Sequence, residues 1–299
     1  MHRSGTLLSR FPEPFAYALH PFLVHSGIDR LILPKSDTIN VKTLDGLCFE
    51  LDPKDEIARE ILHFGAYEKR NVEIIKRLVT GPRGVFLDVG ANFGNHTVFL
   101  ADSFDRVVAF EPNPPTIKRL RRNLELNDLD HVSVLEFGLS DQDTELPFHG
   151  EVGTNPGASR FLENAPSATT FLSVRRGDGV VKEFALSPVR AIKVDVEGHE
   201  EQVIAGLADT IFFDRPLVIF EWDSARNGTG CFEKLADYHF FTQPWELSGG
   251  RAWRPFARGF DAARPPRLVP VRVENLAGRY VSMVVAIPEE KMEGVSDLL

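Results

Sequence analysis

Uninterrupted apolar runs alternate with helical stripes through the middle of this chain. Apolar residues dominate 85–89, 106–110, 132–137, the stretch just after Arg190, and 216–221, each reading as a buried strand. Between them, 95–102 and 115–127 carry helical spacing. In the second of these Ile117, Leu120 and Leu124 share one face, and Lys118, Arg119, Arg121 and Arg122 lie on the solvated side. After Gly198, the residues Val203, Ile204 and Leu207 suit the buried face of another helix. Strand–helix alternation of this kind predicts a parallel, doubly wound α/β sheet.

The flanks are patterned differently. Residues 1–54 show no regular period before a short strand candidate at 47–51, and they read as an N-terminal cap or oligomerisation arm on a body spanning 55–299. Helical spacing begins near Asp55, breaks at Gly65 and runs to Leu78, where Gly81 and Pro82 end it. The segment 150–168 is polar and rich in Pro and Gly, the composition of a long loop that is either a lid or substrate-binding segment or merely a mobile connection. The stretches 240–246 and 280–287 are expected to be the last two strands, paired antiparallel, with an insertion at 247–278 between them. Within it, residues 251–272 interleave six arginines with Trp253, Phe256 and Phe260. Such side chains can stack on sugars or hold an anionic group. A charge-neutralising connection or a dimer contact accounts for them equally well.

The turn after the first core strand carries the most chemistry. Asp88 lies at the strand end, and Gly90, Ala91, Asn92, Phe93 and Gly94 turn the chain into a helix. Two glycines let the backbone come close to a ligand, while the Asp88 carboxylate can face a cationic or hydroxyl-bearing group. A dinucleotide fingerprint requires G-x-G-x-x-G, but Asn92 and Asn95 occupy its second and third glycine places, which argues against a dinucleotide. Glu111, with Asn113 close by, ends the second strand roughly 20 residues onward, where doubly wound folds place the acid that bonds ribose hydroxyls. Ser140 and Asp141 close the third strand, at the adenine edge of such a site or simply in a turn.

The fourth strand end is crowded. Lys193, Asp195, Glu197 and His199 are costly to bring together unless they pair or do chemistry. The alternative is a salt-bridged strand end with Gly198 as its turn residue. Ligands of open α/β sheets sit at carboxyl ends of strands, which favours a functional site. His96 opens the helix after the glycine turn, within reach of a ligand or packed at the helix start.

These segments together resemble the FkbM-type family of S-adenosylmethionine (SAM) methyltransferases. The resemblance rests on FLDVGANFGNHT, VVAFEPNP and IKVDVEGHE, with support from GAYE at 65–68 and VRRGD at 174–178, and covers about 55–245. It implies a Rossmann-like class I fold, with a mostly parallel seven-stranded sheet whose last strand is antiparallel. It also implies SAM as methyl donor and a hydroxyl on a natural product, sugar or lipid-linked glycan as acceptor. On this reading Gly90, Asn92 and Gly94 shape the methionine pocket, Asp88 orients its amino end, Glu111 and Asn113 hold the ribose, and Ser140 and Asp141 meet the adenine. Asp195, Glu197 and His199 would position the substrate and remove its proton, with no metal. A non-catalytic SAM-binding scaffold and a nucleotide-cofactor oxidoreductase are the alternatives, the latter disfavoured by the glycine spacing.

Composition adds limits. With 299 residues, 43% hydrophobic and 26% charged, the chain can bury one large α/β core without disulfides or structural metals. Only Cys48 and Cys231 occur, no apolar run reaches the roughly 18 residues of a membrane span, and no signal-peptide pattern opens the chain, so a soluble cytoplasmic protein is expected. A net charge of −9 disfavours long-range attraction to nucleic acid or anionic membranes. The expected partners are a small-molecule or glycan hydroxyl and, through the N-terminal arm, a second copy of the chain.

Overall fold

The computed structural model describes residues 3–4, 38–43, 45–79, 81–149, 160–161, 170–248 and 264–299. Strand β1 (Arg3–Ser4) pairs with β2 (Ile39–Lys42), which forms an antiparallel hairpin with β3 (Cys48–Leu51). Helix α1 (Glu56–Phe64) starts where Asp55 accepts hydrogen bonds from the Ile57 and Ala58 amides, and ends at Gly65 in the left-handed region, φ 91°. Helix α2 (Lys69–Leu78) follows.

The central layer is β4 (Val85–Val89), β5 (Arg106–Phe110), β6 (Val132–Leu135), β11 (Val189–Val194), β12 (Leu217–Asp223), β13 (Tyr238–Thr242), β14 (Val269–Pro270) and β15 (Tyr280–Pro288). Their order is β14-β13-β15-β12-β11-β4-β5-β6, with β15 antiparallel to both of its neighbours. Helices α3 (Asn95–Leu100), α4 (Pro114–Glu125), α6 (Glu200–Gly206), α7 (Ala208–Asp214) and α8 (Gly230–Lys234) make the connections or flank the sheet. This is the doubly wound, mostly parallel α/β architecture expected from the strand–helix alternation. Two buried clusters, one holding Phe86, Val107 and Ala191 and the other Leu87, Val108 and Ile192, lie on opposite faces of the sheet because successive strand residues point to opposite sides.

Several expectations need correction. The sheet has eight strands rather than seven, because Val269 and Pro270 add a short edge ladder to Phe241 and Thr242. The third strand stops at Leu135, and Gly138–Ser140 leaves it as β7 of a second sheet. That sheet, ordered β7-β10-β8-β9, also contains β8 (Thr144–His149), β9 (Arg160–Phe161) and β10 (Thr170–Arg176), followed by helix α5 (Gly177–Glu183). Its strands bracket a segment expected to be loop, most of which (150–159 and 162–169) lies outside the described residues. The strand expected at 240–246 runs instead from Tyr238 to Thr242 and gives way to a 3-10 turn at Pro244–Leu247. Of the arginine–aromatic stretch, 251–263 lies outside the described residues. Among the described residues, no helix is long and apolar enough to cross a membrane.

Candidate active site at the carboxyl edge of the sheet

Strand register assembles the site. Val89 pairs with Val194 and Val194 with Phe220, so the residues that follow, Gly90, Asp195 and Glu221, emerge side by side at the carboxyl edge. The crevice between β4 and β11 lies where connections leave in opposite directions, the position that binds ligands in doubly wound sheets. Gly90 is held there at φ 78°, and a Cβ on it would stand 2.0 Å from the Asp195 carbonyl oxygen. Its amide and that of Ala91 donate to the Phe110 carbonyl at 3.0 and 3.1 Å, which ties the turn to the end of β5. Asn92 has φ 51° and Gly94 φ 94°, where a Cβ would meet Leu120 Cδ1 at 2.6 Å.

Glu111 supports this turn. Its carboxylate accepts the Asn92 amide and the Asn113 amide, each at 3.0 Å, and burial raises its pKa to about 7 against those two bonds. Asn113 caps α4 ahead of Pro114. Asp88, with no exposed surface, accepts from Thr97 Oγ1 at 2.5 Å and stands 3.7 Å from Lys193 Nζ; burial raises its pKa. The side chain is thereby tied to α3 and β11.

The fourth strand end separates into three pairings. Asp195 accepts from Lys193 Nζ at 3.1 Å and shares a hydrogen bond with Glu221. Burial and the Asp195 charge drive the Glu221 pKa far up, so Glu221 carries the proton. Burial opposes ionisation of Asp195, but Lys193 and the Glu221 bond hold its pKa below the usual value. Glu197, in the left-handed region at φ 57°, pairs with Arg226 at the rim. His199 turns away, with Nε2 2.9 Å from Ser140 Oγ, and Ser140 donates to Asp141 at 3.1 Å. The structure thus brings Asp195 and Glu197 to one carboxylate group and moves His199 to the β7 side with Ser140 and Asp141. Asp195, Glu197 and Glu221 can bring carboxylate oxygens within 4.8 Å of one another, a spacing that could hold an ion.

Two residues join this group that the strand-end pattern alone did not place there. Glu221 was visible only as an acid ending an apolar run. Glu68, from the GAYE segment, adopts φ 49° and lies 3.5 Å from His96 Nε2. Burial, with Asp195 nearby, raises its pKa to about 8, while burial and Lys193 lower that of His96 to about 3. At neutral pH His96 is therefore a neutral imidazole and Glu68 is largely protonated. Asn95 fixes the arrangement by clamping the Tyr67 backbone from both sides, accepting its amide at 3.2 Å and donating to its carbonyl at 3.0 Å. The signal in the sequence was the tetrapeptide itself; nothing in its periodicity pointed to the sheet edge. Glu68, His96, Lys193, Asp195 and Glu221 all line one small buried cavity.

The chain is similar to known proteins over part of its length. The family model described as methyltransferase FkbM domain matches residues 88–243, just over half of the chain. A hexuronic acid methyltransferase, AglP, of Haloferax volcanii is 31% identical over 127 residues, covering 42% of this chain and 51% of that protein. A 2-O-methyltransferase, NoeI, of Sinorhizobium fredii is 28% identical over 154 residues, covering 46% of this chain and 63% of that protein. The match thus spans between about half and two thirds of the length of these relatives. A solved structure of methyltransferase FkbM from Methylobacillus flagellatus KT is 19% identical with a TM-score of 0.39, over 53% of this chain and 39% of that one.

Proposed function

Because this chain belongs to the family of FkbM-domain methyltransferases, we propose that it transfers a methyl group from SAM to a hydroxyl of a sugar, natural product or lipid-linked glycan. The observation that carries the reading is the ionised Asp195, held by Lys193 directly beside the glycine turn. The hexuronic acid methyltransferase and the 2-O-methyltransferase among its relatives support a hydroxyl acceptor.

The side chains present suit SAM. Glu111 uses one lone pair on each oxygen for the Asn92 and Asn113 amides, so both oxygens keep capacity for a ribose diol. Gly90, Asn92 and Gly94 would shape the methionine pocket, and Ser140 and Asp141, ordered by His199, would meet the adenine edge. The donor supplies a methyl already activated by its sulfonium. What remains for the protein is alignment and a proton acceptor for the attacking hydroxyl. Asp195 is placed and charged for that task; Lys193 and protonated Glu221 hold its carboxylate in position. Glu197, bound to Arg226, orients the rim. The reaction needs no metal on this reading, and the two free cysteines suit a reducing cytoplasm.

Incubation of the protein with methyl-labelled SAM and a glycoside-rich metabolite extract, with product identification by mass spectrometry, tests the activity. Asp195→Asn should lower turnover roughly a hundredfold while leaving SAM affinity within about twofold, as for loss of a general base. Binding of NAD in place of SAM, or unchanged turnover in Asp195→Asn, would reject the assignment. Turnover should also survive a chelator. Loss restored by magnesium would instead make Asp195, Glu197 and Glu221 ion ligands.

A further inference from the structure

Beside the acid cluster, at the carboxyl edge of β13 and the start of β15, the fold leaves a second and larger cavity of about 130 Å³. Tyr67, Asn71, Gln243, Trp245, Tyr280 and Ser282 line it. The polar members form one chain of hydrogen bonds. Gln243 Nε2 donates to Asn71 Oδ1, Asn71 Nδ2 donates to Ser282 Oγ at 3.5 Å, and Ser282 Oγ donates to Glu246 Oε1 at 2.6 Å. At its end Gln243, only 1% exposed, keeps an Oε1 that accepts no hydrogen bond from the described residues. A buried amide oxygen without a donor costs about 1 to 3 kcal/mol, which a hydroxyl delivered by a ligand would remove.

The cavity adjoins the acid cluster across shared walls. Glu68, Asn71 and Ser282 line both this cavity and the small buried one that holds Asp195, Lys193 and His96. A group seated among the aromatic rings therefore meets Glu68 at the wall shared with the cavity that holds Asp195. Aromatic faces together with amide and hydroxyl groups are the complement of a ring with C–H on its faces and O–H around its edge. Drug-sized ligands occupy roughly 300 to 1,000 Å³, so this space admits one ring rather than a chain of them. Charge narrows the choice further. Arg70 at the edge is bonded to Glu73 and to the Arg264 carbonyl, while Glu60 and Glu68 add carboxyl groups, so among the described residues the lining offers no spare cation for a uronate.

We infer that this cavity is the acceptor subsite, and that it takes a single neutral glycosyl ring which stacks on Trp245 or Tyr280 and donates a hydroxyl to Gln243. The inference rests on the methyltransferase reading for the chemistry, though not for the binding. The full chain, saturated with S-adenosylhomocysteine, is examined by saturation-transfer NMR against methyl glucoside, methyl galactoside, methyl glucuronide and phenol. The neutral glycosides should show transfer to their ring protons, and methyl glucuronide much less. Trp245→Ala, Gln243→Leu and the more exposed Tyr280→Ala should each weaken the glycoside signal roughly tenfold, the scale of one lost stacking face or hydrogen bond. Calorimetric affinity for S-adenosylhomocysteine should be unchanged in all three. Transfer from phenol or the glucuronide alone, or glycoside signals that survive in all three variants, would overturn the subsite. Failure of S-adenosylhomocysteine to bind, with glycoside signals intact, would instead overturn the methyltransferase reading.

Discussion

Glu111 and Glu68 are carboxyl groups that burial alone would keep neutral, yet their surroundings differ. Glu111 has two backbone donors, which recover part of the cost of its charge, and in the proposed function its oxygens meet the ribose diol. Glu111→Ala should therefore weaken SAM by about 1 to 3 kcal/mol in calorimetry, the range for charge-assisted hydrogen bonds. An unchanged affinity would remove Glu111 from the cofactor site. Glu68 has a folded-state pKa of about 8 against an ordinary 4.5. Its contribution to stability is complete below about pH 4.5, where folded and unfolded chains both hold the proton, and is lost as pH rises toward 8. Glu68→Gln should accordingly gain melting temperature relative to the parent chain as pH goes from 5 to 8. A difference that stays flat with pH would show that Glu68 is not buried as described.

At the level of elements, two turns meet and each restricts the other. The glycine turn after β4 closes against the Asp195 backbone, and a methyl group on Gly90 has no room and an unfavourable φ of 78°. Gly90→Ala should cost roughly 3 kcal/mol or more by urea denaturation, the scale of a strained, clashing backbone. The turn between α1 and α2, which carries Tyr67 and Glu68, depends on the two Asn95 bonds. Asn95→Ala should reduce turnover more than it weakens SAM, because it releases the Glu68 wall while leaving Glu111 and Gly90 in place. Equal losses in both would mean that Asn95 serves only the cofactor turn.

At the scale of the whole molecule, the buried cluster on one face of the sheet includes part of the N-terminal segment. Phe49, with no exposed surface, stacks on Phe99 at 5.5 Å, and the hairpin backbone is bonded to Asn123 and Asn127 of the α4 region at 2.7 and 2.8 Å. Asn123 also donates to the Phe93 carbonyl in the glycine turn. Phe49→Ala should therefore shift a single cooperative unfolding transition by about 3 to 5 kcal/mol. A separate early transition would show that the hairpin is an independent cap.

The alternation of strands and helices, the glycine turn and the acid closing β5 were legible because each is local: a periodicity of two or 3.6, a positive φ, or an acid a fixed distance beyond a turn records itself in neighbouring residues. The second sheet was not legible, since its short strands pair across a polar stretch that resembles loop. Nor was the sorting of the fourth strand end, where Asp195, Glu197 and His199 lie within five positions yet find Glu221, Arg226 and Ser140 as partners. Those pairings depend on strand register and on helices returning from distant parts of the chain. The sequence by itself determined most of the segments that form the central sheet and where its carboxyl edge lies; only the tertiary structure decided that Glu68 and Glu221 stand beside Asp195, because proximity between residues far apart along the chain is set by packing rather than by pattern.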